Sequence, residues 1–111
     1  MKIRFSSQHI RIRISPKDAE MLSIGEPLIL KYHFGSALEF RLEMMNEIDC
    51  TLVQQEHQIV FGLNDVQVLQ WLNTQEEKLT WTMNDQVISL EKDYPCEHRP
   101  GDGQQTFERP R

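Results

Sequence analysis

The sequence predicts an α+β domain: an antiparallel sheet or barrel made from two tandem strand–strand–helix–strand–strand units with two short helices. Three observations lead there. Apolar and polar residues alternate with period two over most of residues 1–90, the signature of half-buried strands. Two short segments carrying helix caps interrupt the alternation. The order and length of elements in residues 1–44 recur over 48–91.

Residues 3–5 and 10–14 read as strands. In the second, Ile10, Ile12 and Ile14 share one face while Arg11 and Arg13 take the other, and Ser6-Ser7-Gln8-His9 makes a polar hairpin turn. Ser15-Pro16-Lys17-Asp18 is a helix start. The serine hydroxyl accepts from free N–H groups, Pro16 suits the first turn, and Asp18 lies at the positive end of the dipole. Ala19, Met21 and Leu22 face inward, Gly25 provides a left-handed stop, and Pro27 prevents continuation. Strands resume over residues 28–34, with Leu28, Leu30, Tyr32 and Phe34 on one face. Gly35-Ser36-Ala37 turns the chain, and Leu38, Phe40 and Leu42 then alternate with Glu39, Arg41 and Glu43.

The second half follows the same plan. Residues 50–53 form a strand, a turn falls near Gln55-Glu56-His57, and Ile59, Phe61 and Leu63 alternate, with Gly62 marking a bulge or close packing. Asn64 caps a helix bearing Val68, Leu69, Trp71 and Leu72. Leu79, Trp81 and Met83 form the seventh strand, Asn84-Asp85 a tight turn, and Ile88 with Leu90 the eighth. With an offset of 49 residues, Ile10 meets Ile59, Ile12 meets Phe61, Ser15 meets Asn64, Leu30 meets Leu79 and Tyr32 meets Trp81. One residue lost at the last turn then brings Phe40 onto Ile88 and Leu42 onto Leu90. This is a shared pattern with almost no identity, read as an internal duplication, with a coincidence of common hairpin lengths as the alternative. The expected core holds Ile12, Tyr32, Phe34, Phe40, Phe61, Trp71, Trp81 and Leu90. Residues 1–92 make one domain and 93–111 a polar tail.

The 111 residues suffice for one domain with a core of its own. An apolar share of 39% makes that core thin and the outside polar. No run approaches the length of a membrane helix, and Met1-Lys2-Ile3-Arg4-Phe5 leads straight into strand alternation, unlike a signal or transit peptide. The expected location is the cytoplasm, with Cys50 and Cys96 as free thiols. The formal charge of −5 divides unevenly: residues 1–44 carry +2, residues 45–90 carry −6 and residues 91–111 carry −1. Net acidity argues against a nucleic-acid partner.

The opening Met1-Lys2-Ile3-Arg4-Phe5 with Ile10-Arg11-Ile12-Arg13-Ile14, the capped helix after it, and the run Leu90-Glu91-Lys92-Asp93-Tyr94-Pro95-Cys96 carry a resemblance. On these residues the chain resembles the DUF7009-like family of short uncharacterised bacterial proteins. The most specific part is Glu-Lys-Asp-aromatic-x-Cys from Glu91 to Cys96, followed by Arg99. The family pattern continues with an acidic stretch and ends near Phe-x-x-Pro. This chain has Phe107-Glu108-Arg109-Pro110, but Gly101-Asp102-Gly103-Gln104-Gln105 keeps one acid only. The resemblance implies fold and size and no activity.

Two constellations carry chemistry. Lys2, Arg4, Arg11 and Arg13 all fall on the outer face of the first hairpin, a candidate site for a small anionic ligand or an acidic protein partner. The competing reading is an ordinary solvated face, with Glu39, Arg41 and Glu43 pairing across the sheet. In the tail, Asp93, Cys96 and His98 are the candidate metal ligands, since Cys96-x-His98 offers zinc two soft donors. A second close pair of donors is missing, so no cofactor is expected. The leading functional expectation is a non-enzymatic binding or interaction module. The alternative is a metal-dependent or thiol enzyme centred on Cys96 and His98. The basic first half and the acidic second half, with Glu47, Asp49, Glu56, Asp65, Glu76, Glu77 and Asp85, should attract, within one chain or across a weak homodimer.

Overall fold

A hydroxyl followed three residues later by a carboxylate makes a capping box, and that is how the first helix begins. Ser15 Oγ accepts from the Asp18 N–H at 3.1 Å, and Asp18 Oδ2 accepts from the Ser15 N–H at 2.9 Å. Helix α1 runs Pro16–Ser23 and buries Ala19 and Leu22. It ends in a Schellman motif: Gly25, at φ +82°, donates to the Leu22 carbonyl and Glu26 donates to that of Met21. Helix α2 spans Asp65–Leu72, with Asn64 Oδ1 accepting from the Gln67 N–H at 2.8 Å.

The computed structural model describes residues 1–46 and 50–93, with the side chain of Phe34 left aside. Among these residues the strands are β1 (Lys2–Phe5), β2 (His9–Ile14), β3 (Leu28–Phe34), β4 (Ser36–Met45), β5 (Thr51–Gln55), β6 (Gln58–Asn64), β7 (Lys78–Met83) and β8 (Gln86–Lys92). They form two four-stranded sheets, ordered β1-β2-β8-β7 and β3-β4-β6-β5. The expected antiparallel sheet or closed barrel is thereby corrected. The hairpins are antiparallel, but the central contacts β2–β8 and β4–β6 are parallel, and each sheet keeps two edges. The cause lies in the helices. Each carries the chain from one sheet to the other, α1 from β2 to β3 and α2 from β6 to β7, so a hairpin finds its central neighbour in the other half of the chain.

The registers of the two sheets correspond. Ile10 lies opposite Ile88 and Ile12 opposite Leu90 in the first; Ile59 lies opposite Phe40 and Phe61 opposite Leu42 in the second. The match of β3 to β7 read from the pattern is displaced by one pair. Leu28 faces Leu42 and Leu79 faces Leu90, which makes Leu28 the counterpart of Leu79 and Leu30 that of Trp81. Tyr32 therefore sits nearer the strand end, as the counterpart of Met83.

The inner faces make one core, in which Ile12, Ile14, Leu42, Phe61, Leu63, Val68, Ile88 and Leu90 have no exposed surface. Phe40 and Trp71 are also buried. Two of the expected core residues are less covered than the alternation implies: Tyr32 is 39% exposed, and Trp81 is half-buried while still packing against the core. Trp81 instead donates its indole N–H to Gln67 Oε1 at 3.0 Å, tying β7 to α2. Gly62 marks close packing: a Cβ there would strike Met45 Sδ and Thr51 Oγ1. Asn84 and Asp85, at φ +47° and +63°, make the two-residue turn between β7 and β8.

Lys92 takes an inward position opposite Ile14 and is 5% exposed. Its ammonium donates to the carbonyls of Trp71 at 3.3 Å and Thr74 at 2.6 Å, and it lies 5.0 Å from the centre of the Trp71 ring. A cation is thus spent on the negative end of α2. Burial lowers its pKa, and Glu76 works against that shift. No helix among the described residues is long and apolar enough to cross a membrane.

Candidate functional site

The outer face of the first sheet follows directly from its register. One row across the strands reads Lys2, Arg13, Glu91, Lys78, and the next reads Arg4, Arg11, Ser89, Thr80. The four cations of the first hairpin thus share one surface, as the alternation of β1 and β2 requires.

At its centre is a carboxylate with almost no access to water. Glu91 is 2% exposed. Arg11 grips it with two bonds, Nε to Oε2 at 2.8 Å and Nη2 to Oε1 at 3.0 Å. Ser89 donates to Oε2 at 3.0 Å, and Arg13 Nε lies 3.7 Å from Oε1. Burial would raise the Glu91 pKa, but the bonds from Arg11 and Ser89 and the charges of Arg11 and Lys78 together hold it below the usual range. The same hydrogen bond, with the Glu91 charge behind it, raises the pKa of Arg11.

His9 completes the network, its Nε2 being 2.8 Å from Ser89 Oγ. A hydroxyl has one proton, and Ser89 gives it to Glu91, so the imidazole donates through Nε2. That direction is opposite to the one a serine nucleophile needs, where the imidazole must accept. Ser89 is moreover 1% exposed. The trio therefore orders the face and does not activate a hydroxyl.

The remaining cations are less engaged. Lys2, with 72% of its side chain exposed, pairs with Asp93 Oδ2 at 3.4 Å. Arg13 is 44% exposed and only approaches a Glu91 already held by Arg11. Arg4 is exposed and makes no ion pair among the described residues. Glu39, Arg41 and Glu43 do not meet this hairpin at all, because they lie in the second sheet. There Arg41 bonds Glu43 at 3.0 Å and Glu39 at 3.5 Å.

The acids that meet the basic hairpin are Glu91 and Asp93, not those expected from residues 45–90, of which Glu47 and Asp49 lie outside the described residues. Glu77 also bears electrostatically on Arg11. The pattern of residues missed Glu91, Ser89 and His9 as a group. The signal was there: Ser89 and Glu91 alternate outward on β8 just as Arg11 and Arg13 do on β2. What pattern alone lacked was the parallel pairing that sets those strands side by side.

Of the proposed metal ligands, Asp93 is occupied by Lys2, and its N–H donates to the Ile14 carbonyl at 2.9 Å. Cys96 and His98 lie outside the described residues. Among the described residues no three His, Cys, Asp or Glu side chains gather as a metal site would require. Cys50 is a free thiol, 6% exposed, and burial pushes its pKa up to about 11.

The match to a protein family spans residues 1–111, and the matching model is described as a family of unknown function, DUF7009. The chain belongs to the DUF7009 family. Neither the curated proteins nor the solved structures contain a match to this DUF7009 chain.

Proposed function

We propose that this DUF7009 protein is a non-enzymatic binding module, located in the cytoplasm, that receives an anionic partner on the outer face of its first sheet. One observation carries the reading: the face is cationic on a chain whose net charge is −5, and its positive charge is only partly neutralised. Glu91 engages Arg11, while Lys2, Arg13 and Arg4 project with weak partners or none. The Arg11–Glu91 pair holds β2 against β8 and gives the outer cations a firm base.

The test is binding of polyglutamate, followed by fluorescence anisotropy at low and high salt. The native protein should bind weakly, with affinity falling as salt rises. The Arg4→Glu/Arg13→Glu variant should lose binding. Equal affinity in both proteins would remove the reading.

We also propose that the chain arose by tandem duplication of a strand–strand–helix–strand–strand unit. The corresponding registers of the two sheets support this. Superposing residues 10–42 on 59–90, with the β3 match moved by one pair, is the direct check, and divergent helix placement would reject it. The competing reading, a metal-dependent or thiol enzyme, rests on Cys96 and His98; metal analysis of the purified protein tests the first form, and the rate at which Cys96 reacts with a thiol reagent tests the second.

A further inference from the structure

We infer that the free edge of β1 takes up an acidic, extended peptide by strand addition. This inference rests on the anion-binding reading and names the partner. Strand β1 pairs with β2 on one side only, leaving a row of backbone donors and acceptors on the other among the described residues. Its two faces differ sharply. Lys2 and Arg4 project outward, with Arg13 and Arg11 directly behind them on β2. On the inner side Phe5 is 53% exposed, although it takes an inward position opposite the buried Ile10.

The Phe5 ring lies 5.7 Å from that of Phe40, and Tyr32 of the edge strand β3 meets Phe40 edge-on at 5.8 Å. An apolar side chain entering beside β1 would thus cover Phe5 and face Tyr32. Alternate residues of an added strand point to opposite faces. A strand that meets Lys2 and Arg4 on one face and Phe5 on the other must alternate acidic with apolar residues.

The same cations exclude other occupants. Pairing β1 with β1 of a second copy sets lysine and arginine against each other. Pairing it with β7 of a second copy opposes Lys2 and Arg4 to Lys78, Thr80 and Thr82. Like charges directly opposite are unfavourable, so β1 resists a second β1 and meets Lys78 on β7, while admitting an acid strand. A single-stranded nucleic acid offers neither the backbone ladder nor an alternating apolar side.

The experiment uses the full chain, isotope-labelled, and an eight-residue peptide alternating glutamate and valine. Binding should slow amide exchange in β1 and leave the β5 and β7 edges unchanged. The Lys2→Glu/Arg4→Glu variant, altered only at exposed side chains, should bind that peptide at least tenfold more weakly and gain affinity for one alternating lysine and valine. A peptide N-methylated on the edge-facing amides should also lose at least tenfold.

Full binding of the N-methylated peptide, or protection of another edge, overturns strand addition and leaves the cationic face as an anion site. If neither this peptide nor polyglutamate binds, the anion-binding reading falls as well.

Discussion

Removing the Glu91 carboxylate tests how the first sheet is held and what its charge is for. Glu91→Ala deletes the acceptor of two Arg11 bonds and one Ser89 bond. Breaking one side of a fully buried ion pair costs about 3–5 kcal/mol. The Arg11 side chain is 29% exposed and can recover water, which reduces that contribution to about 1–3 kcal/mol. Ser89 loses its charged acceptor and keeps only His9, and that lost hydrogen bond adds about 1 kcal/mol. The expected loss is about 2–4 kcal/mol, a large share of the ~5–15 kcal/mol that a domain of this size possesses. Urea unfolding followed by the fluorescence of Trp71 and Trp81 measures it. A double-mutant cycle with Arg11→Met should return a coupling of about 1–2 kcal/mol between β2 and β8. Glu91→Gln, which keeps the shape, should cost less and should strengthen polyglutamate binding, because the face gains one net positive charge. A coupling below about 0.5 kcal/mol would refute the claim that this pair clamps the two halves. Weaker anion binding by Glu91→Gln in a folded protein would refute its role as a partial neutraliser.

Glu91 and Asp18 are both held below the usual carboxylate range: burial raises each, but Arg11 and Ser89 outweigh it at Glu91, and the Met1 ammonium and Ser15 at Asp18. Groups depressed in the folded state contribute stability that is complete above their unfolded values of about 4 and is lost as pH falls through the folded ones. Unfolding free energy should therefore decline below about pH 5, less steeply in Glu91→Gln, and an identical acid slope would contradict this. Phe61, with no exposed surface, should cost about 3–5 kcal/mol on truncation to alanine, and a loss under about 1 kcal/mol in urea unfolding would contradict its central place. Cys50 should resist a thiol reagent in the folded Cys96→Ser protein and react at once in urea; rapid labelling of the native state would contradict its burial.

How far the fold was legible depends on distance along the chain. Caps and turns are local chemistry, so Ser15, Asn64, Gly25 and Asn84-Asp85 do what their residue types indicate. The period of two likewise assigned Ile10, Ile12, Ile14, Phe61 and Leu63 to the core. The partner of each strand was not legible, because alternation says which way a side chain points and nothing about what lies beside it. The neighbour expected for the first hairpin is antiparallel, whereas β8 arrives parallel from the far end of the chain. The site is affected for that reason: alternation shows the four cations and hides the carboxylate that Arg11 and Arg13 reach. Tyr32 was misplaced by one strand pair, since its offset was carried through a loop where the two halves differ in length.

Corresponding positions on the two outer faces show why the first sheet is the one to examine for function. The offsets that align the inner faces set Glu91 against Glu43 and Arg13 against Gly62. Each sheet thus keeps a carboxylate at the same place, and each satisfies it with an arginine. In the second sheet the arginine is Arg41, two residues away on the same strand, so the pair holds nothing together across the sheet. In the first it is Arg11, on the other half of the chain, and the pair joins the halves. Gly62 leaves room for Met45 and Thr51 to lie over the second sheet, whereas Arg13 keeps the first sheet open and charged. Stability asks only for matching inner faces, and both sheets provide them. Arg4 makes no ion pair among the described residues and Arg13 stands 3.7 Å from a Glu91 already held by Arg11, so folding leaves on both the charge that the proposed anionic partner would meet.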